Sequence, residues 1–446
     1  MKYRRWFAVL AVSLAVAYLV KEIIINLVIL AVILEPPQVF EKDFVQDWLS
    51  ARAILDGLNP YISTNDLAAR YIGSFRIFPH PTPHPPTLLI AVAPLGLFDY
   101  QTAAIAWMII EVVCLLGTAR ILAGRWSYAL ALFCVFLAWK PVMEELMRGQ
   151  LMALILLLLA AAWRALRSDR DISGGAFLGL AIAFKLIAWP LLVFLALKRR
   201  WRACASCLSV VAGCHLVAAA VCGFGCVINY YSKVGAGVLP FYRGYLTNFS
   251  LHALAWRMFD GAGSTAFKVT SAPPLIHAPT VAEAVSAIAP LALVLVALAL
   301  ALRARDLDAG FSVVICACVI ASPIAWLMYA LLLVIPAAIL FLKLQATGFP
   351  IRKTAFASIF FVGLWLMHYP EQVIQPAYAI KHSPPGGPYS VSFPIAMLSF
   401  APLVITFALM ALVIYVSPRK SITGRSPDQS LDPTTQGNVQ NALHGF

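Results

Sequence analysis

The chain reads as a succession of apolar runs broken by short polar clusters. A helix needs about 20 apolar residues to cross a bilayer, and fewer when neighbouring helices bury it. On that measure spans are predicted near 6–34, 86–122 (interrupted from Pro94 to Asp99), 127–139, 149–163, 174–184 and 186–197. Further spans follow near 203–226, 283–303, 309–321, 324–342, 351–369 and 395–416. Several are short, so the pattern predicts about ten to thirteen transmembrane helices, which makes the fold class an all-α polytopic membrane protein. The run after Met1-Lys2-Tyr3-Arg4-Arg5 passes Lys21 and Glu22 and continues to Leu34 without a small-residue cleavage site, so it reads as an uncleaved first span.

The polar clusters set the orientation. With the N-terminus inside, the cytoplasmic segments are 1–5, 120–126, 164–173, 198–202, 303–308, 343–353 and the tail from 417. They carry 20 Lys plus Arg in 74 residues, whereas the outer segments 35–85, 140–148, 229–282 and 370–394 carry 11 in 139. The excess of basic residues on the inner side favours this topology. It requires 174–197 to be a tight pair of short helices whose turn, near Lys185, faces outward. Residues 1–416 then form one transmembrane domain with a first outer loop at 35–85. The stretch 417–446, rich in Ser, Pro, Asp, Gln and Asn, is expected to be a disordered cytoplasmic tail.

Composition narrows the function classes. Apolar residues make up 61% and charged ones 12%, against about 45–50% and 25% in soluble domains, which excludes a cytosolic enzyme, a disordered chain and a disulfide-built secreted domain. The net charge of +13 could suit nucleic acid, but the basic residues sit in short clusters between apolar runs, with no stripe interleaved with aromatics. Cys204-Ala-Ser-Cys207, Cys214, Cys222 and Cys226 share one apolar run and read as small packing residues rather than a redox or metal motif. There is no P-loop and no GxGxxG, so any chemistry belongs to the outer loops and the membrane surface.

In the first outer loop, residues 44, 48, 51, 54 and 55 are apolar at helical spacing. They predict an amphipathic helix along the interface that ends at Gly57. Asp43 at its start is either a helix N-cap or a functional carboxylate. The segment Phe78-Pro79-His80-Pro81-Thr82-Pro83-His84-Pro85-Pro86-Thr87 is extended by its prolines, and His80 and His84 read as hydrogen-bonding groups rather than metal ligands, since no HExxH or carboxylate neighbour accompanies them. Glu144 to Gln150, Lys185 and Asn248-Phe249-Ser250 project toward the same side. Ionisable residues at membrane depth are expensive and so are functional candidates, the alternative for Arg148 and Lys185 being snorkelling side chains.

These residues resemble glycosyltransferase family 87, the group that contains mycobacterial polyprenyl-phosphomannose-dependent mannosyltransferases. The resemblance spans roughly residues 40 to 345 and rests on ordered motifs. Asp43-Phe44 with Ala51-Arg52-Ala53 and Gly57 to Tyr61 comes first, then Pro85-Pro86 and Pro94-Leu95. Gly149-Gln150, Gly175 to Gly179 with Lys185 and Pro190, and Arg199-Arg200-Trp201-Arg202 follow. Asn248 to Leu251 and Ser322-Pro323-Ile324-Ala325-Trp326 complete the series. The sequence departs from the family pattern at three places: Asp47 where an aromatic is expected, Met152 where an Asn is expected, and Leu327-Met328 where a His follows the Trp.

The resemblance implies a GT-C fold with an extracytoplasmic active site in the cell membrane. It also implies transfer of a hexose, mannose first, from a polyprenyl-phosphate donor to a lipid or glycan acceptor, with no nucleotide-binding domain; no cofactor and no metal is expected. The family's essential first-loop Asp falls on Asp43, as general base of an inverting displacement. Asp47, four residues on, is the reserve base. Arg148 and Lys185 are the candidates for the donor phosphate. His80, His84, Gln150, Asn248 and Trp326 are candidate substrate contacts, and Trp48 is a further stacking candidate. The rival class is a lipid-linked sugar flippase, which would show repeats and broken helices in matching halves; the single broken segment and hairpin here both fall in the first half.

Overall fold

The computed structural model describes residues 2–73, 80–261, 271–304, 306–367 and 391–417, with side chains from Ser13 onward. Phe78, Pro79, most of the 370–394 loop, His368, His382 and the tail beyond Ser417 lie outside the described residues.

The described residues form helices and connecting turns, with no strand among them. In chain order the helices are α1 (Lys2–Ile33), α2 (Phe44–Leu55), α3 (Thr64–Tyr71), α4 (Pro86–Val92), α5 (Tyr100–Ala123), α6 (Trp126–Ala138) and α7 (Lys140–Arg148). Then come α8 (Met152–Arg167), α9 (Asp171–Phe184), α10 (Trp189–Leu197), α11 (Trp201–Cys222), α12 (Phe224–Asn229), α13 (Gly235–Gly237) and α14 (Leu239–Tyr242). The last are α15 (Leu251–Phe259), α16 (Pro279–Arg303), α17 (Leu307–Ala321), α18 (Val334–Ala346), α19 (Ile351–Leu366), α20 (Phe393–Met397) and α21 (Ala401–Val416).

Six stretches are long and apolar enough to cross a membrane alone: 13–33, 100–123, 201–222, 279–303, 327–346 and 393–416. The pair α6 and α7, bent by 74° at Trp139, is a seventh candidate, and four shorter apolar helical stretches accompany them. The chain is thus an all-α polytopic membrane protein. Local sequence explains where elements start. Asp99 accepts from the Thr102 N–H at 3.0 Å and caps α5 just after Pro94 has broken the preceding run. Ser250 caps α15 and Asp306 caps α17 in the same way.

Burial separates two kinds of helix. Twelve of the fifteen residues of α17 are buried, and they are apolar on all sides, as a central helix must be. By contrast α1, α11 and α16 keep large aliphatic residues such as Leu27, Val217 and Leu295 exposed, which suits a lipid face. The glycines of α9 serve close packing. A Cβ at Gly175 would lie 2.1 Å from the Ala203 carbonyl oxygen, and one at Gly179 would lie 2.7 Å from that of Cys207. Cys204 and Cys207 are buried thiols in this helix contact, the packing role read for them.

The short helices fix the depth of the structure's interior. Arg200 donates to the Leu166 carbonyl at 2.8 Å and to Asp171 at 2.7 Å and Asp169 at 2.8 Å, so the start of α9 and the end of α10 lie at the same end of the bundle. The two helices therefore form the predicted hairpin with Lys185 at its tip. At 1.5 Å per residue α9 is about 21 Å long, short of the about 30 Å apolar thickness of a bilayer. Lys185, half-buried, follows the last turn of α9.

One expectation is corrected. Helix α2 does not lie along the interface with a polar face in water: nine of its twelve residues are buried, among them Gln46, Asp47 and Ser50. Its polar side chains have inward partners, such as the Pro60 carbonyl for the Ser50 hydroxyl at 3.0 Å, and burying paired polar groups is tolerable where burying unpaired ones is not.

Candidate active site

Opposite the Arg200 end the elements enclose a cavity of about 630 Å³. Asp43 stands in its wall. The backbone of Asp43 is already helical (φ −61°, ψ −26°) and its side chain makes no capping hydrogen bond, so the cap reading is set aside. Its carboxylate instead accepts from the Gln150 amide at 2.8 Å. Burial pushes the Asp43 carboxyl up from its usual range, opposed by the positive charge of Arg148 and by the Gln150 hydrogen bond.

The neighbouring residues hold that carboxylate in place. Lys42, fully buried, donates to the Leu146 and Met147 carbonyls at 2.5 and 3.0 Å and so ties the start of α2 to the end of α7. Phe44 stacks on Trp107 with ring centroids 5.1 Å apart, and the Trp107 N–H reaches the carbonyls of Gly149 and Gln150 at 3.1 and 3.2 Å. Gly149 turns the chain with φ +64°, and a Cβ there would stand 2.9 Å from Cβ of Phe44. Only glycine meets both demands. Across this bend the Glu145 carboxylate accepts from the Ala153 N–H at 2.7 Å and closes the first turn of α8.

Arg148 and Lys185 line the same cavity. Arg148 is half exposed and stands 3.9 Å from Glu144, which is also paired with Lys140 at 2.9 Å. Lys185 lies over the Tyr329 ring, 4.6 Å from its centroid, and no carboxylate is within ion-pair distance of it among the described residues. From this polar corner the cavity runs to Leu186, Trp189 and Leu291, which both line it and are exposed on the outside of the bundle. Pro290 of α16 lies at this mouth. It has no N–H for the Ser286 carbonyl, and His252 makes up the loss with a 3.3 Å contact to that oxygen.

The remaining candidates separate into those that face the cavity and those that stand behind it. Gln150, His84 and Trp326 line it; Asp47, His80, Asn248 and Trp48 do not. Asp47 is buried behind His84, bonding its Nδ1 at 2.8 Å and accepting from the Thr82 hydroxyl at 2.9 Å. His80 bonds the Pro81 carbonyl and the Tyr242 hydroxyl, both at 2.7 Å, and burial pushes its imidazole down from the usual range. Fully buried Asn248 knots two loops: its amide donates to the Tyr242 and Pro323 carbonyls, and its oxygen accepts from the Ser250 and Ala325 N–H groups. Trp48 packs edge-on against Tyr71 and Tyr100 in the core.

Sequence reasoning passed over Lys42, Gln46, Tyr242 and Tyr245. Gln46 lies three residues after Asp43 on α2 and also lines the cavity, a spacing that could have been read. Trp326 packs in T-shaped contacts with Tyr242 and Tyr245, which are tilted against each other, at centroid distances of 5.4 to 6.0 Å, and the three form an aromatic corner of the cavity. No local pattern marked the two tyrosines, because long-range bonds from Asn248, Phe249 and Ser250 to the 323–325 segment bring their loop to Trp326.

The sequence profile of glycosyltransferase family 87 matches residues 83–329, more than half of the chain. The chain belongs to this family. No curated protein and no solved structure matches it. Family 87 membership makes the protein a glycosyltransferase, which acts on a sugar donor and an acceptor. The family 87 match contains His84, Arg148, Gln150, Lys185, the aromatic corner and Tyr329, all on the cavity wall. It begins after α2, so Asp43 reaches this wall from outside the matched segment.

Proposed function

We propose that the protein is a GT-C-type hexosyltransferase that uses a polyprenyl-phosphate sugar, mannose being the first donor to test, and glycosylates a lipid or glycan acceptor at the extracytoplasmic face of the cell membrane. The observation that carries this reading is one cavity in which a carboxylate, Asp43, shares the wall with Arg148 and Lys185 and which opens between α10 and α16 onto lipid-exposed side chains. A donor with a long apolar tail and an anionic head meets matching surfaces there. The excess of basic residues in the segments at the opposite end supports an outward-facing cavity.

The reaction follows from these groups. The acceptor hydroxyl attacks the anomeric carbon, its proton passes to Asp43, and the bond from that carbon to the phosphate oxygen breaks to release polyprenyl phosphate. A single displacement inverts the anomeric configuration. The leaving group already carries charge, so the protein's contribution is a base and cations. Lys185 and Arg148 bind the phosphate and the charge that grows on it. Gln150 holds one Asp43 oxygen and leaves the other toward the cavity. Trp326, with the tyrosines beside it, offers aromatic faces to a sugar ring.

The test is transfer from synthetic polyprenyl-phosphomannose by the purified protein, with a membrane-lipid extract as acceptor and Asp43→Asn in parallel. Transfer by the wild type alone is expected. Full activity of Asp43→Asn would remove the proposed base, and movement of the donor across vesicle bilayers with its glycosyl bond intact would favour a carrier.

A further inference from the structure

Two hydrogen-bond acceptors belong to residues that line the cavity. One is the Asp43 oxygen that Gln150 does not use. The other comes from His84. Its Nδ1 is held by the Asp47 carboxylate, 2.8 and 3.0 Å from the two oxygens. An ionised carboxylate only accepts, so the ring proton resides on Nδ1 and Nε2 keeps its lone pair. Nε2 has no hydrogen-bond partner among the described residues, yet it is not among the sealed, unsatisfied buried atoms, and His84 lines the cavity. The positive form of His84 would act electrostatically on Asp43, which puts the two groups close together.

The surroundings lock this arrangement. Thr82 donates to the same Asp47 oxygen, Tyr61 donates to the His84 carbonyl at 3.0 Å, and Tyr230 donates to the Pro83 carbonyl at 2.9 Å. The ionisable groups facing His84 are Asp43 and Asp47 from α2, the hydroxyls of Tyr61 and Tyr230, and, across the cavity, Glu144, Arg148 and Lys185. His80 is turned away to Pro81 and Tyr242. Two acceptors on one cavity wall match a ligand that supplies two donors.

We propose that His84, oriented by Asp47, binds the acceptor substrate through Nε2 beside Asp43, so that the acceptor is a sugar or polyol head group presenting one hydroxyl to each. The reacting hydroxyl gives its proton to Asp43; a second hydroxyl donates to Nε2 and keeps its proton. This rests on the reading of the cavity as a glycosyl-transfer site.

The test measures the acceptor KM and kcat for the membrane-lipid acceptor, with polyprenyl-phosphomannose as donor, for the wild type, His84→Gln, His84→Phe and Asp47→Asn. In His84→Gln, whose amide oxygen still accepts, the acceptor KM should stay near the wild-type value. In His84→Phe the acceptor KM should rise about tenfold, the usual effect of losing one hydrogen bond, with the donor KM unchanged. Asp47→Asn should raise the acceptor KM as His84→Phe does, because the amide can donate to Nδ1 and turn Nε2 into a donor. A wild-type acceptor KM in His84→Phe overturns the proposal, as does a tenfold rise in His84→Gln. The acceptor KM of Asp47→Asn decides the matter if His84→Phe does not fold. A wild type that transfers nothing overturns the glycosyl-transfer reading and the proposal with it. A wild type that transfers, with an unaltered acceptor KM in His84→Phe and Asp47→Asn, overturns the proposal alone.

Discussion

The two ends of the helical bundle both gather charged residues at helix termini, and they use them differently. At one end Arg200 is bonded to Asp169 and Asp171, Arg167 lies 3.6 Å from Asp308, and Lys343 lies 2.6 Å from Asp306. These cations hold one connecting segment to another. At the other end Lys185 rests on an aromatic ring at the wall of a cavity, and Arg148 is half exposed with its carboxylate neighbour 3.9 Å away. A cation that finds its carboxylate within the protein is spent on structure, whereas Lys185, with no carboxylate within ion-pair distance among the described residues, keeps its charge at the cavity wall. The location of a charge in the sequence does not tell these apart; its partners do.

Variants that remove one charge at a time would sharpen or break that contrast. The largest effect is expected for Asp43→Asn. Loss of a general base lowers turnover by about 10²–10⁴, measured as initial transfer rate by protein of equal membrane abundance. The same substitution should leave the thermal midpoint equal or slightly higher. A carboxyl whose folded value is pushed up by burial is less stable ionised inside than outside, so removing the charge costs no stability at neutral pH.

Next in size, Lys185→Ala and Arg148→Ala should each reduce kcat/KM for the donor by about ten- to a thousandfold, in the range seen when one charge-stabilising donor is lost. Their thermal midpoints should move little; a loss of folded protein without a kinetic defect would put these cations in the structural class. Arg200→Ala should do the reverse. It removes two ion pairs and a hydrogen bond to a carbonyl, costing about 1–2 kcal/mol in a denaturant or thermal shift assay, with transfer per folded molecule unchanged. The smallest effect, below about 1 kcal/mol, is expected for Lys343→Met, because its partner Asp306 is more than a third exposed and solvent screens the pair.

The pH dependence probes the cavity end specifically. The proposed base Asp43 acts only when ionised, and burial raises its pKa, so transfer should be present above that raised value and be lost as pH falls through it. The loss should begin at a higher pH than for a carboxyl in water. In Arg148→Lys the positive charge that opposes the shift persists, whereas in Arg148→Ala the acid limb should move further up. A limb that stays in place would remove Arg148 from the surroundings of Asp43.

Much of the architecture was legible because a bilayer imposes it. Apolar runs, the break after Pro94, the Gly57 stop of α2 and the basic segments on either side of the 171–197 hairpin follow from local rules of length, propensity and charge. Of the cavity residues, Gln150, Arg148 and Lys185 were legible as polar groups standing where a membrane protein would not otherwise keep them, while Asp43 and Trp326 were picked out through the family resemblance. Which of the candidates face the cavity was not. Asp47 and His84 lie 37 residues apart in sequence yet form one hydrogen-bonded pair, and Asn248 turned out to knot two loops rather than reach the cavity.

The sequence by itself determined the all-α class, the approximate spans, the paired short helices around Lys185 and the family resemblance. Each depends on residues that are neighbours in the chain or on the demands of the lipid. Only the tertiary structure decided that α2 is buried rather than laid on the interface, that Asp43 is held by Gln150 instead of capping its helix, and that Tyr242 and Tyr245 meet Trp326. These outcomes depend on contacts between residues from 35 to more than 100 positions apart, such as Thr82 with Asp47 and Lys42 with Leu146. Such contacts form only when packing has chosen which partner satisfies each buried polar group, and no local pattern carries that choice.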